Sequence, residues 1–144
     1  MNQAAGQEMF TVMNHKEIAA LGASLREIDQ KLLTPTKQND QTRVWYQGGE
    51  PYFDLFVELR QGKIEWFQLT LRGKSLSWKP QFSSWQTGTT NELHTDDLTF
   101  YPASKIIESN SKLDWEFIEL VHSILQTRAG EPLFDQILSL FGYR

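Results

Sequence analysis

Asp54 and Glu58 stand four residues apart in a stretch where apolar and polar side chains alternate, so both carboxylates project from one face of a strand. Two pleats separate them by about 6.5–7 Å, which overlaps the spacing of paired carboxylates in glycoside hydrolysis. Arg72 and Lys79 reach the same face from later strands and neutralise it, so the acids read as part of a polar surface rather than as an acid–base couple. The three histidines occupy no catalytic spacing: His15 is in a helix-capping turn, and His122 lies midway along a helix near Trp115 and Ile118. Glu92, His94, Asp96 and Asp97 offer oxygen and nitrogen ligands within six residues. They lack the loop spacing and glycine of an EF-hand and the paired histidines of a helical zinc site, and read as a solvated acidic loop.

No glycine-rich phosphate cradle is present; Gly48-Gly49 precedes Glu50-Pro51 and has the form of a hairpin turn. No serine sits in a G-x-S-x-G elbow. No motif implies a metal or a cofactor. Trp66, Trp78 and Trp85 interleave with Lys63, Arg72, Lys74 and Lys79, the composition of a single-strand nucleic-acid groove. Two features argue against that reading: strand alternation turns Trp78 inward, and Glu58 beside Trp66 repels phosphate.

The elements that position these groups are legible from periodicity. Residues 43–79 contain four candidate strands, Arg43–Gln47, Tyr52–Arg60, Ile64–Arg72 and Lys74–Lys79, separated by turn residues. A two-residue loop between the second and third would set Glu58 opposite Glu65 and Leu55 opposite Gln68. A three-residue loop sets Phe53 opposite Leu71, Leu55 opposite Leu69 and Val57 opposite Phe67. Opposed like charges are unfavourable, while matched apolar pairs contribute on the order of 0.2–1 kcal/mol each, so the second register is expected. An Arg72-Gly73 turn then pairs Leu69 with Leu76 and Phe67 with Trp78, and a four-residue turn adds Val44 and Tyr46 to the same inner face. The opposite face carries Trp45, Tyr52, Asp54, Phe56, Glu58, Trp66, Gln68, Thr70, Arg72, Ser75, Ser77 and Lys79: a polar sheet with four aromatics embedded in it.

Around the meander, Asn14-His15-Lys16-Glu17 has the form of a capping box, and Ile18, Leu21, Leu25, Ile28 and Leu32 trace a narrow apolar stripe. These predict a helix of about five turns ending at Thr34-Pro35. Residues 80–97 form a polar connection with room for one edge strand, Asp97–Tyr101 reads as another, and Pro102 opens a short helix through Glu108. Ser111 caps a helix to about Arg128, and Pro132 begins a last one to Phe141. The expected fold is α+β: an antiparallel meander of at least four strands, with the N-terminal helix and two C-terminal helices on one face. Residues 1–13 read as a mobile tail and 14–144 as a single domain.

Composition narrows the function classes. The 144 residues are 40% hydrophobic and 22% charged, with no cysteine, which suits one globular domain without disulfides or thiolate chemistry. The net charge of −4 divides as −1 over residues 1–40, +2 over 41–90 and −5 over 91–144. With a pI near 5.3 and no basic stripe, the chain lacks the footprint of a nucleic-acid binder. No apolar run reaches the length of a membrane span, and the first 13 residues lack the pattern of a signal peptide, so a cytoplasmic location is expected. The leading expectation is a non-enzymatic interaction module, of adaptor or small acidic chaperone type, binding a partner protein or a second copy of itself. Its binding residues would be Trp45, Tyr52, Asp54, Phe56, Glu58, Trp66 and Arg72, with the apolar helices as a second route. The alternative is an enzyme or small-molecule binder with a pocket between the sheet and the 80–101 connection.

Overall fold

The computed structural model describes residues 13–28, 41–81, 85–90, 107–109 and 112–142. Among the described residues helix α1 (His15–Ser24) is followed by seven strands: β1 (Arg26–Glu27), β2 (Gln41–Gln47), β3 (Asp54–Arg60), β4 (Lys63–Leu71), β5 (Lys74–Trp78), β6 (Gln86–Thr90) and β7 (Ile107–Ser109). Helices α2 (Trp115–Gln126) and α3 (Pro132–Leu140) close the chain. The strands form a single sheet in chain order with every pairing antiparallel. The fold is α+β, with the three helices on one face of the meander.

That face is the one expected. Leu55 pairs with Leu69, Val57 with Phe67, Leu69 with Leu76 and Phe67 with Trp78. Leu55, Val57, Phe67, Leu69 and Leu76 are buried together with Phe117, Val121 and Ile124 of α2 and Phe134 and Ile137 of α3. Trp85 packs edgewise on Phe67 and lies 4.5 Å from the Phe141 ring, closing the core beyond β5.

Both loop lengths weighed for the β3–β4 hairpin contribute to the observed register. The turn is a two-residue one at Gln61-Gly62, both with positive φ, which suits the twist of a hairpin. Continued unchanged, it would set Glu58 against Glu65. A bulge at Glu65 shifts the register between Glu58 and Leu59 instead, so Glu58 faces Trp66 and the apolar pairs beyond it are matched. The β2–β3 turn covers residues 49–52 rather than 48–51, with Gly48 N donating to Phe53 O at 2.8 Å. A Cβ on Gly48 would stand 2.0 Å from the Phe53 ring, so only glycine fits there. Val44 and Tyr46 still face inward, opposite Val57 and Leu55. Tyr52, assigned by alternation to the outer strand face, lies in the turn at φ +64.

Four other expectations are corrected. The N-terminal helix ends at Ser24, and Leu25 is already extended, at φ −70 and ψ 123. The apolar stripe continues through Leu25, which is buried, and Ile28, which is half-buried, but in extended backbone that pairs β1 with β2. Ser24 Oγ donates to Leu21 O and accepts from Gly49 N, and Arg128 donates to Gly22 O and Leu25 O. Two of these carbonyls, those of Gly22 and Leu25, thus find a partner outside the helix. At its start Asn14 Oδ1 accepts from Glu17 N at 2.8 Å, while the Glu17 side chain turns toward Arg72 and makes no return bond. Helix α2 is capped by Asp114, not Ser111: Asp114 Oδ1 accepts from Phe117 N, and Lys74 Nζ holds the other oxygen at 2.8 Å. The Asp114 N–H donates to Thr87 Oγ1, and a carboxylate at this position also suits the helix dipole. Glu108 belongs to strand β7 rather than to a short helix.

The strand expected within residues 80–97 is β6, an interior strand with β7 on its far side. Met13, at the end of the expected tail, is buried in the core; residues 1–12 lie outside the described residues. So do Leu32, the 92–97 acidic cluster, the proposed 97–101 strand and Ser111.

Candidate functional site

The outer face is organised in rows across the sheet. One row runs Gln47, Asp54, Thr70, Ser75 and Gly88, and the next Trp45, Phe56, Gln68, Ser77 and Gln86. A third begins Arg43, Glu58, Trp66. The seven residues singled out from sequence fall into three groups on this frame.

Trp45, Phe56 and Asp54 form a connected unit. The Trp45 and Phe56 rings stack with centroids 5.5 Å apart and planes 13° from parallel. The indole N–H of Trp45 donates to Asp54 Oδ1 at 3.1 Å. Asp54 is only 2% exposed, so this carboxylate serves the sheet rather than solvent. The Asp54–Glu58 couple considered from sequence is divided: Asp54 is held by Trp45, and Glu58 by Arg43 and Gln41.

Tyr52 and Arg72 lie in turns at the opposite end of the sheet from the β3–β4 hairpin. The Tyr52 carbonyl accepts from Thr70 Oγ1. Arg72 makes a two-pronged ion pair with Glu50, at 2.8 and 3.1 Å. The hydrogen bond from Glu50 holds the Arg72 guanidinium still more firmly protonated, against the opposing effect of burial. Glu17, Ala20, Leu21, Ser24 and Gly49 join Glu50 and Arg72 around a groove of about 310 Å³ between α1 and this turn.

Glu58 and Trp66 form the third group, and here the surface is concave. A pocket of about 520 Å³ is lined by Glu58, Glu65, Trp66, Lys79, Pro80 and Gln81. The bulge creates it. A regular strand would send Glu65 and Trp66 to opposite faces, whereas the extra residue lets both line the same pocket while Ile64 and Phe67 on either side stay buried. Both carboxylates are held in place: Glu58 by Arg43 Nε at 3.0 Å, and Glu65 by Arg60 Nε at 2.7 Å. The Trp66 indole N–H makes no hydrogen bond among the described residues, in contrast to that of Trp45.

Sequence reasoning overlooked Glu65, Lys79, Pro80 and Gln81 as lining residues. A signal for the first was available: Ile64 and Phe67 are both core residues three apart, and period-two alternation accommodates them only with a bulge between. Of the other tryptophans, Trp78 and Trp85 pack against the core. Trp115, at the start of α2, is 55% exposed, the one large apolar side chain mostly in solvent among the described residues. His122 packs against the Phe141 ring at 4.9 Å, and its burial lowers its affinity for a proton, partly offset by Glu119.

Among the described residues no group of three or more His, Asp or Glu side chains is placed to hold a metal ion, and no helix is long and apolar enough to cross a membrane. No protein family matches the chain, and neither the curated proteins nor the solved structures yield a match.

Proposed function

We propose that this domain is a non-enzymatic recognition module that engages a partner protein, or a second copy of itself, through its outer sheet face, with Trp66 as the anchor. The observation that carries the reading is the setting of Trp66: a half-buried indole in a 520 Å³ concavity, edged by the Arg43–Glu58 and Arg60–Glu65 ion pairs. Tryptophan and arginine are the side chains most often found to dominate binding energy, and a polar rim around an aromatic centre is the usual anatomy of such a surface. The engagement of Asp54 by Trp45 speaks against carboxylate-pair catalysis on this face. The helices are the weaker route, because the apolar side chains of α2 are largely spent on the core. A cysteine-free acidic chain fits a cytoplasmic adaptor or chaperone-like role.

A second reading has its own support. Pro80 and Gln81, which follow β5 after Lys79, also line the pocket. This is where a small ligand would lie between the sheet and the residues that follow β5.

A photo-crosslinking residue placed at position 66, with position 115 as control, tests the first reading. Crosslinks to one defined partner, or to a second copy, are expected from position 66 only, and Trp66→Ala should lower that partner's affinity at least roughly tenfold with the fold intact. Unchanged affinity in Trp66→Ala would overturn it.

A further inference from the structure

We infer that the Trp66 pocket is a saccharide subsite that takes one neutral pyranose ring against the indole; this rests on the small-ligand reading of the same pocket.

A phosphate or carboxylate ligand would meet Glu58 and Glu65, the carboxylates of the lining among the described residues. A cation would compete with Arg43 and Arg60 for carboxylates they already hold. A purely apolar ligand would strip water from Glu58, Glu65, Lys79, Gln81 and the Trp66 N–H without replacing any hydrogen bond, which is unfavourable for each group. What remains is a neutral molecule with a flat apolar side and a rim of groups that both donate and accept.

A pyranose has that form. Its ring C–H groups present a face to an indole, and each hydroxyl is one donor and two acceptor positions. Among the described residues the pocket supplies acceptors at Glu58 and Glu65 and donors at the Gln81 amide and the Trp66 N–H. Among the described residues carboxylate capacity is left over: Glu65 accepts one bond, from Arg60, and Glu58 accepts one bond on each oxygen. The ion pairs fix these acceptors before a ligand arrives, which reduces the ordering cost of binding.

The test is a titration of the isotope-labelled full chain, following the Trp66 indole N–H resonance by NMR. Ligands are the methyl pyranosides of glucose, galactose, mannose and N-acetylglucosamine, with the peptide acetyl-Gly-Arg-Gly-amide alongside. At least one pyranoside should move the resonance saturably at millimolar concentration, with an affinity indifferent to added salt. Joint Glu58→Gln and Glu65→Gln replacement should weaken binding roughly tenfold. Trp66→Phe, which keeps a ring but loses the N–H and the reporter, is followed by calorimetry and should weaken binding without abolishing it. If no pyranoside moves the resonance, the saccharide assignment is overturned. A salt-sensitive response to the arginine peptide would then leave the small-ligand pocket standing with a cationic occupant, and silence from every probe would remove the pocket reading as well.

Discussion

Arg128 Nη1 donates to the carbonyl oxygen of Leu25 at 2.8 Å, joining the end of α2 to the end of α1 across 103 residues. The same nitrogen donates to Gly22 O at 2.8 Å, and Nε and Nη2 grip the Glu131 carboxylate. The guanidinium lies 4.7 Å from the Phe134 ring centroid, and its side chain is 19% exposed. One planar fork therefore terminates α1, orders the α2–α3 turn and packs on the core, a combination a lysine ammonium is unable to reproduce.

Arg128→Ala should cost roughly 3 kcal/mol, because hydrogen bonds to a charged group are the stronger kind and two carbonyls and a carboxylate lose their partner. Arg128→Lys should recover less than half of that. Urea unfolding midpoints measure both, and amide exchange at Leu25 and Ile28 should accelerate before that of the β3–β4 core if the clasp holds α1 to the sheet.

The Arg128 hydrogen bond also pulls the Glu131 carboxyl below its usual titration range. A depressed carboxylate pKa contributes stability that is present above the unfolded value, near 4.5, and is lost as pH falls through the folded value. Glu131→Gln should therefore be less stable than the parent at neutral pH and lose less on acidification. Parallel acid-limb slopes for the two proteins would count against the linkage.

His122 produces a dependence in a different window. Burial against Phe141 lowers its pKa from 6.5, so protonation favours the unfolded chain. Its contribution is full above pH 6.5 and is lost as pH falls through the lower folded value. His122→Phe should flatten the stability profile between mildly acidic and neutral pH while leaving the Glu131 limb below it. Denaturant midpoints taken across that interval separate the two.

Gly22 of α1 lies against the C-terminal end of α2. A Cβ there would stand 1.8 Å from Thr127 Oγ1 and 2.9 Å from Ile124 O. Gly22→Ala should destabilise by about 2 kcal/mol despite its better helix propensity, since overpacking typically costs 1–3 kcal/mol. Thr127→Ala in the same chain should return part of it but not all, because the Ile124 carbonyl is backbone. Full additivity of the two changes in thermal or urea unfolding would show that the contact is not shared.

These residues also show where sequence reasoning reached and where it stopped. The inner-face pairs of β3, β4 and β5 were legible because side-chain period and apolar matching are local and over-determined. The end of α1 was not, because Leu25 and Ile28 fit a helical stripe equally well, and the groups that stop the helix, Gly49 and Arg128, are distant in sequence. Asp114 outcompeted Ser111 as a cap through partners on β5 and β6 that no local pattern announces. At the candidate site Glu58 and Trp66 were placed on one face correctly, but the concavity depends on the bulge. Tyr52 and Arg72 share the polar surface without sharing the pocket.

The bulge itself supplies the sharpest experiment. Glu65 is the one unpaired residue between the pairs Glu58–Trp66 and Leu59–Ile64. Deleting it leaves Gln61-Gly62 as a two-residue turn, with Ile64 inward, Trp66 outward and Phe67 inward in an unbroken ladder. The deletion should therefore fold, within about 1 kcal/mol of the parent, since a regular ladder replaces a local disruption and the lost Arg60 pair is a surface one worth little. Its Val57–Phe67 and Leu55–Leu69 cross-strand proton contacts should persist by NMR. The pocket should not persist, because one of its carboxylates is gone and the bulge that let Glu65 and Trp66 line it together is removed. Binding assigned to Trp66 should fall at least roughly tenfold in the deletion. A folded deletion variant with undiminished binding would place recognition elsewhere on the molecule.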